Sequence, residues 1–155
     1  MNTWLKSTGT FQIGDGAIRI AVDMDFAKYY KALIDKEVRL FTNMPAHGCH
    51  ITIWNPKIFG PYDQKKAQFL RNFYKNRPIS FEYNPDIIEG GQTKNFRNWY
   101  MFVRCQEAAN MCDHLGISAK RDRLHVTVAN TKNGVYPYIW TRNNVQVPKE
   151  WQLVR

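Results

Sequence analysis

The chain has 155 residues and sets 22 Lys and Arg against 13 Asp and Glu, a net charge of +9. With 44% hydrophobic and 23% charged residues it is no disordered tail, and it fits one domain over residues 1–155, or one domain made of two fused halves. No apolar run approaches the ~20 residues of a membrane span, and Cys49, Cys105 and Cys112 form neither a Cys-x-x-Cys pair nor a disulfide framework. The expected setting is a reducing cytoplasm, and the expected partners of so basic a surface are nucleic acid or nucleotides rather than a membrane.

In chain order, Gly14-Asp15-Gly16 reads as a turn and Ala17 to Val22 as a strand. Asp23 or Asp25 then caps a helix to about Glu37, with Phe26, Tyr29, Tyr30 and Leu33 along one face. Val38 to Phe41 is a short strand, and His50 to Trp54 a clearer one, ended by Asn55-Pro56. Asp63 to about Asn76 is a second helix with Ala67, Leu70 and Tyr74 on its apolar stripe. Ile79 to Tyr83 and Trp99 to Cys105 are strands, and Glu89 to Asn95, with two glycines, is expected to be an exposed loop between them. Glu107 to Leu115 is a third helix stopped by Gly116, Leu124 to Ala129 a further strand, and the remainder is rich in aromatics.

Two octets stand out: HITIWNPK from His50 and HVTVANTK from His125, half a chain apart. They share His, Thr, Asn and Lys at the same four places, and each follows a strand-then-helix unit. That repetition predicts an α+β fold of two pseudo-symmetric lobes, mainly antiparallel sheet with outer helices, around a central cleft. In a strand, residues two apart share a face. His50 and Thr52 therefore look one way and Ile51 and Ile53 the other; His125 and Thr127 do the same against Val126 and Val128. A two-fold relation between the lobes would bring both His/Thr pairs to one cleft.

Two imidazoles and two hydroxyls around a cleft suit phosphoryl transfer. A neutral histidine takes the nucleophile's proton, a charged one protonates the leaving oxygen, and the hydroxyls donate to the non-bridging oxygens where charge develops. This chemistry requires no metal or other cofactor. His47, Cys49 and His50 are close in sequence but lack the spacing and the fourth ligand of a zinc site.

The paired His50-x-Thr52 and His125-x-Thr127, each flanked by apolar residues in a strand, resemble the 2H phosphoesterase superfamily. The resemblance covers the chain in outline and rests on those two motifs. It implies a bilobal fold with both motifs in the central groove, and metal-independent action on RNA ends, cyclic phosphates or cyclic nucleotides, with His50, Thr52, His125 and Thr127 as the catalytic set. Within the superfamily, the short basic chain with aromatic-rich ends looks like the phage anti-CBASS phosphodiesterases. That likeness implies hydrolysis of the 3′–5′ bonds of cyclic di- and trinucleotide immune signals, by attack of the ribose 2′-hydroxyl through a 2′,3′-cyclic phosphate, in the cytoplasm of the host.

Candidate substrate-binding residues follow from position. Trp54 shares the strand face of His50 and could stack on a base or belong to the core. Lys57 and Lys132, at matched offsets, could hold flanking phosphates or be solvated, whereas Asn55 and Asn130 are expected to bond local backbone. Tyr136, Glu150 and Trp151 could form part of a lid over a nucleobase, or plug a core edge. The alternatives are a 2′,3′-cyclic phosphodiesterase or RNA-end-processing enzyme of the same superfamily, and a non-catalytic RNA-binding module; nothing in the sequence indicates a protein partner.

Overall fold

Alternating apolar positions in the two octets build the middle of the sheet. In the computed structural model, which describes residues 3–93, 96–117, 124–132, 134–137, 139–140 and 145–146 (backbone alone at 92 and from 136 onward), His50–Trp54 is strand β4 and His125–Asn130 is β8. They lie side by side, antiparallel, with Ile51 opposite Val126. Around them run β1 (Leu5–Gly14), β2 (Ala17–Val22), β5 (Ile79–Tyr83), β6 (Ile88–Thr93) and β7 (Phe96–Arg104). The sheet order is β5-β1-β2-β4-β8-β7-β6, entirely antiparallel. β5 also pairs with the far end of β7, through Glu82–Arg104 and Tyr83–Val103, so six of these strands close into a ring and β6 lies outside it on the near end of β7. The short β3 (Leu40–Phe41) pairs with β9 (Tyr136–Pro137), and β10 (Ile139–Trp140) with β11 (Val145–Gln146). The fold is thus α+β with a mainly antiparallel sheet.

Helix α1 (Met24–Val38) starts at Asp23, whose carboxylate accepts from the Asp25 amide at 2.7 Å. Its buried stripe is Ala27, Tyr30 and Ile34, with Phe26 half-buried, while Tyr29 and Leu33 are exposed. The expected Phe26/Tyr29/Tyr30/Leu33 face is therefore only half buried: the row turned to the sheet is shifted by one residue, to Ala27, Tyr30 and Ile34. A four-residue helix α2 (Pro56–Phe59) follows β4 directly. Helix α3 (Gln64–Tyr74) is capped by Asp63 and buries Ala67, Leu70 and Tyr74, as its period predicts. Helix α4 (Gln106–Leu115) has Cys105 at its N-cap, its sulfur accepting from the Ala108 amide, and ends at Gly116 in the left-handed region (φ 77°).

The core is a layer of Ile18, Ile20, Ile51, Ile53, Val126, Val128 and Met101 from the sheet against Ile34, Leu70, Met111 and Leu115 from the helices. The helices cross over between the halves of the sequence: α1 packs on β8, and α4 packs on β4. Burying both apolar rows this way leaves the opposite face of β4 and β8 free to carry polar groups.

Two further expectations change. Residues 89–93 of the anticipated loop belong to strand β6, hydrogen-bonded to β7 with a register shift between Gly90 and Thr93, and 94–95 lie outside the described residues. β1, the long first strand, had no counterpart in the sequence reading. Among the described residues, no helix is long and apolar enough to cross a membrane.

Candidate active site

The pairing of Ile51 with Val126 fixes what lies beside each motif residue. In an antiparallel pair the register runs in opposite directions from that point, so His50 stands across from Thr127 and Thr52 across from His125. The flanking strands extend these rows. On one side Arg19 of β2 is opposite Thr52 and Ala21 is opposite His50; on the other, Tyr100 of β7 is opposite Thr127 and Phe102 is opposite His125. The alternate residues Ile51, Ile53, Val126 and Val128 are buried, while Thr52 and His125 are exposed and His50 and Thr127 half-buried. Both His/Thr pairs therefore share the outer face of two neighbouring strands.

Three of the four groups line two adjoining hollows, His50 the first, His125 the second and Thr52 both, while Thr127 lines neither. One, of about 290 Å³, is bounded by Arg19, His47, His50, Thr52, Trp54 and Lys57 together with the Asp15–Ala17 turn. The other, of about 180 Å³, is bounded by Thr52, Phe59, Cys112, Ile117, Leu124 and His125. Thr52 and Asn55 belong to both. A larger hollow of about 800 Å³ lies elsewhere, between the C-terminal half of α1 and Ile87, Glu89 and Trp99; its lining carries Lys36, Glu37, Arg39 and Glu89 but neither motif.

His50 is held by its own loop. Its Nδ1 is 2.9 Å from the Gly48 carbonyl, which can only accept, so Nδ1 carries the hydrogen and neutral His50 presents an unprotonated Nε2. Burial pushes the imidazole below its ordinary value, and the nearby charges of Arg19, His47 and His125 push the same way; the Gly48 bond works against them. His125 packs its ring edge-on against Tyr100, with centroids 5.3 Å apart at 62°.

The loop that delivers His50 is tied down from three sides. Buried Asp35 on α1 accepts from the amide and hydroxyl of Thr42 and from Lys31. Asn43 then pairs by backbone with Asn130, at the end of β8, in both directions. Val22 donates to the Cys49 carbonyl at 2.9 Å. Cys49 itself is buried, its thiol pushed up to about 12 by desolvation, and it faces Met44 Sδ at 3.5 Å; it is packing, not a nucleophile.

The repeated asparagines do the same job twice. Asn55 Oδ1 accepts from the Lys57 amide and Asn130 Oδ1 from the Lys132 amide, each at 3.0 Å, turning the chain out of its strand. Lys57 reaches the larger of the two hollows, whereas Lys132 is exposed and lines neither; its carbonyl accepts from Asn43. Trp54 is a fixed wall: its Nε1 donates to the Gly60 carbonyl at 2.8 Å and its ring leans on Phe59. The backbone of Tyr136 pairs with Phe41. Glu150 and Trp151 lie outside the described residues. Among the described residues no three His, Cys, Asp or Glu side chains converge as metal ligands.

Arg19 was not anticipated. It is 4% exposed, stands opposite Thr52 and lines the His50 hollow. In AIRIAV it reads as the solvent-side member of an alternating strand; only its register with β4 turns it toward the histidines.

Comparison with protein families, with characterised proteins and with solved structures finds no match to the chain.

Proposed function

We propose that the chain is a metal-independent phosphodiesterase of the 2H type, built as two pseudo-symmetric lobes that meet along β4 and β8. The observation that carries this reading is the register through Ile51 and Val126, which sets each motif's histidine across from the other motif's threonine on one open face. With β5 left aside, the order β1-β2-β4-β8-β7-β6 runs from each end as a hairpin and then a single strand toward the β4–β8 pair, in keeping with two lobes.

In the mechanism that suits this arrangement, His50 begins as the base. Nε2 accepts the proton of a ribose 2′-hydroxyl as O2′ bonds to phosphorus. The P–O5′ bond breaks, and His125 gives a proton to O5′. The resulting 2′,3′-cyclic phosphate is opened by water with the roles exchanged: His125 takes the water's proton, P–O2′ breaks, and His50 returns its proton to O2′. Thr52 and Thr127 donate to the non-bridging oxygens throughout. Each proton transfer is worth about 10²–10⁴ in rate. A lowered pKa at His50 supports assigning it the first deprotonation.

The substrates proposed are cyclic di- and trinucleotide immune signals, whose removal would counter the bacterial defence they trigger; 2′,3′-cyclic mononucleotides and RNA ends are the second class. Incubating the protein with cyclic dinucleotides, 2′,3′-cyclic mononucleotides and linear RNA, all in the presence of EDTA, separates these. The expected result is turnover of a cyclic dinucleotide to a product ending in a 3′-phosphate. A free 3′-hydroxyl rules out attack by O2′, and binding of RNA without turnover replaces the enzyme by a binding module.

A further inference from the structure

A buried arginine without an acidic partner needs a reason. Arg19 is almost wholly covered, yet among the described residues no carboxylate bridges to it. Its Nη2 donates to the Gly14 carbonyl at 2.7 Å, and its Nε, also out of contact with solvent, has no hydrogen-bond partner. The acid nearest to hand in the lining of the hollow, Asp15, faces His47 instead, at 3.6 Å. A guanidinium held this way is uncomfortable in the empty protein, because a charge removed from water is normally paired or fully hydrogen-bonded. Its surroundings supply the rest of an anion site. Thr52 and Lys57 line the same hollow, one offering a hydroxyl hydrogen and the other positive charge.

We infer that Arg19 is the phosphate anchor of the cleft: its guanidinium, at the wall of the hollow it shares with Thr52, takes a non-bridging oxygen of the substrate phosphate. This rests on the phosphodiesterase reading for the identity of the ligand but not for the presence of the anion site. The geometry fits the row of the sheet. Arg19, Thr52 and His125 stand side by side on three successive strands, so an oxygen bound between Arg19 and Thr52 leaves the phosphorus facing the histidines. Arginine suits the task better than lysine because its planar fork can keep one bond to Gly14 while giving others to the phosphate. The hairpin turn at Gly14 thereby holds the anchor at a set height above β4.

The site makes an unusual demand on a substitution: ligand binding and stability should move in opposite directions. Arg19→Met keeps the apolar stem and removes the unpaired charge. Inorganic phosphate and adenosine 3′-monophosphate serve as probes, followed by isothermal calorimetry and by the rise in melting temperature they produce. The wild type should bind both, and Arg19→Met should bind them about tenfold or more weakly while melting no lower than wild type. Wild-type affinity in a folded Arg19→Met protein overturns the proposal, as does a wild type that binds neither probe. If Arg19→Met does not fold, Arg19→Lys decides, with phosphate affinity reduced several-fold expected and unchanged affinity counting against it. The His50→Ala, His125→Ala double variant separates the two readings. It should lose turnover but still bind phosphate through Arg19. Phosphate binding that depends on Arg19 in a protein that cleaves no phosphodiester leaves the anchor standing and removes the enzyme; turnover unaltered by Arg19→Met does the reverse.

Discussion

The His50 half and the His125 half of the cleft share a frame and differ in what flanks it. In both, a histidine and a threonine alternate with buried β-branched residues, and an asparagine two residues before a lysine turns the chain away. Beyond that the halves part. β2 sets Arg19 and Ala21 beside β4, whereas β7 sets Tyr100 and Phe102 beside β8. His50 is half-buried, bonded to Gly48 and has Arg19 and His47 nearby; His125 is exposed and packed against an aromatic edge. The lesson is that a symmetric frame can be given unlike roles by its neighbours. Acid and base must differ at the start of a reaction, and unequal surroundings are what separate two chemically identical side chains.

The strongest way to break the comparison is to remove the imidazoles. On the proposed mechanism, His50→Ala and His125→Ala should each lower kcat/KM by about 10²–10⁴, and the double variant should be little worse than the poorer single one, as expected of two groups acting on one phosphorus. Losses that multiply would mean that the halves serve separate sites. Next come the hydroxyls. Thr52→Val and Thr127→Val are expected to cost about 10²–10³ at most in kcat. Thr52, which borders both hollows and stands beside Arg19, should be the more sensitive; an equal loss would argue that Arg19 contributes nothing to asymmetry.

The smallest effect is in pH dependence, and it bears on one half only. Folded His50 holds its proton less tightly than an unfolded histidine, which titrates near ~6.5. The unfolded chain therefore binds more protons between the two values. His50's contribution to stability is complete above ~6.5 and is lost as pH falls through the folded value. Urea midpoints measured from pH 7.5 downward should show this decline, and His50→Ala should flatten it. The acid limb of kcat/KM should likewise lie below ~6.5. Arg19→Met, by removing one of the charges that depress His50, should move that limb upward; no movement would place Arg19 out of electrical contact with the base.

These residues were not equally legible in the sequence. The octets could be read because one strand carries both signals, buried Ile or Val at one parity and His or Thr at the other. The asparagine turns were readable because Asn bonds its own backbone wherever the chain leaves a strand. β1 was not, because Lys6, Thr8, Thr10 and Gln12 alternate with residues that are mostly only half-buried, so the apolar contrast is weak. Its buried position is Gly9, where a Cβ would meet the Ala21 carbonyl oxygen at 2.5 Å; a residue that reads as a break is the one that lets β1 lie against β2. β6 misled in the same way. Gly91 has φ 122°, and a Cβ there would strike the Phe96 oxygen at 2.3 Å, so its glycine serves a bulge in a hairpin rather than a loop. Arg19 was hidden for a different reason: which way an isolated charge in a strand faces depends on a neighbouring strand more than thirty residues downstream.

The crossing of helices between halves bears on how such a chain can be divided. A nick in the Asn84–Ile87 connection would yield two fragments of similar motif content, and neither could complete itself. The first would lack the strand that α1 covers, the second the strand that α4 covers, and each would expose a raw apolar row to water. The pieces should be insoluble apart yet able to reconstitute together, so a split reporter cut here would signal only when both fragments are made in the same cell.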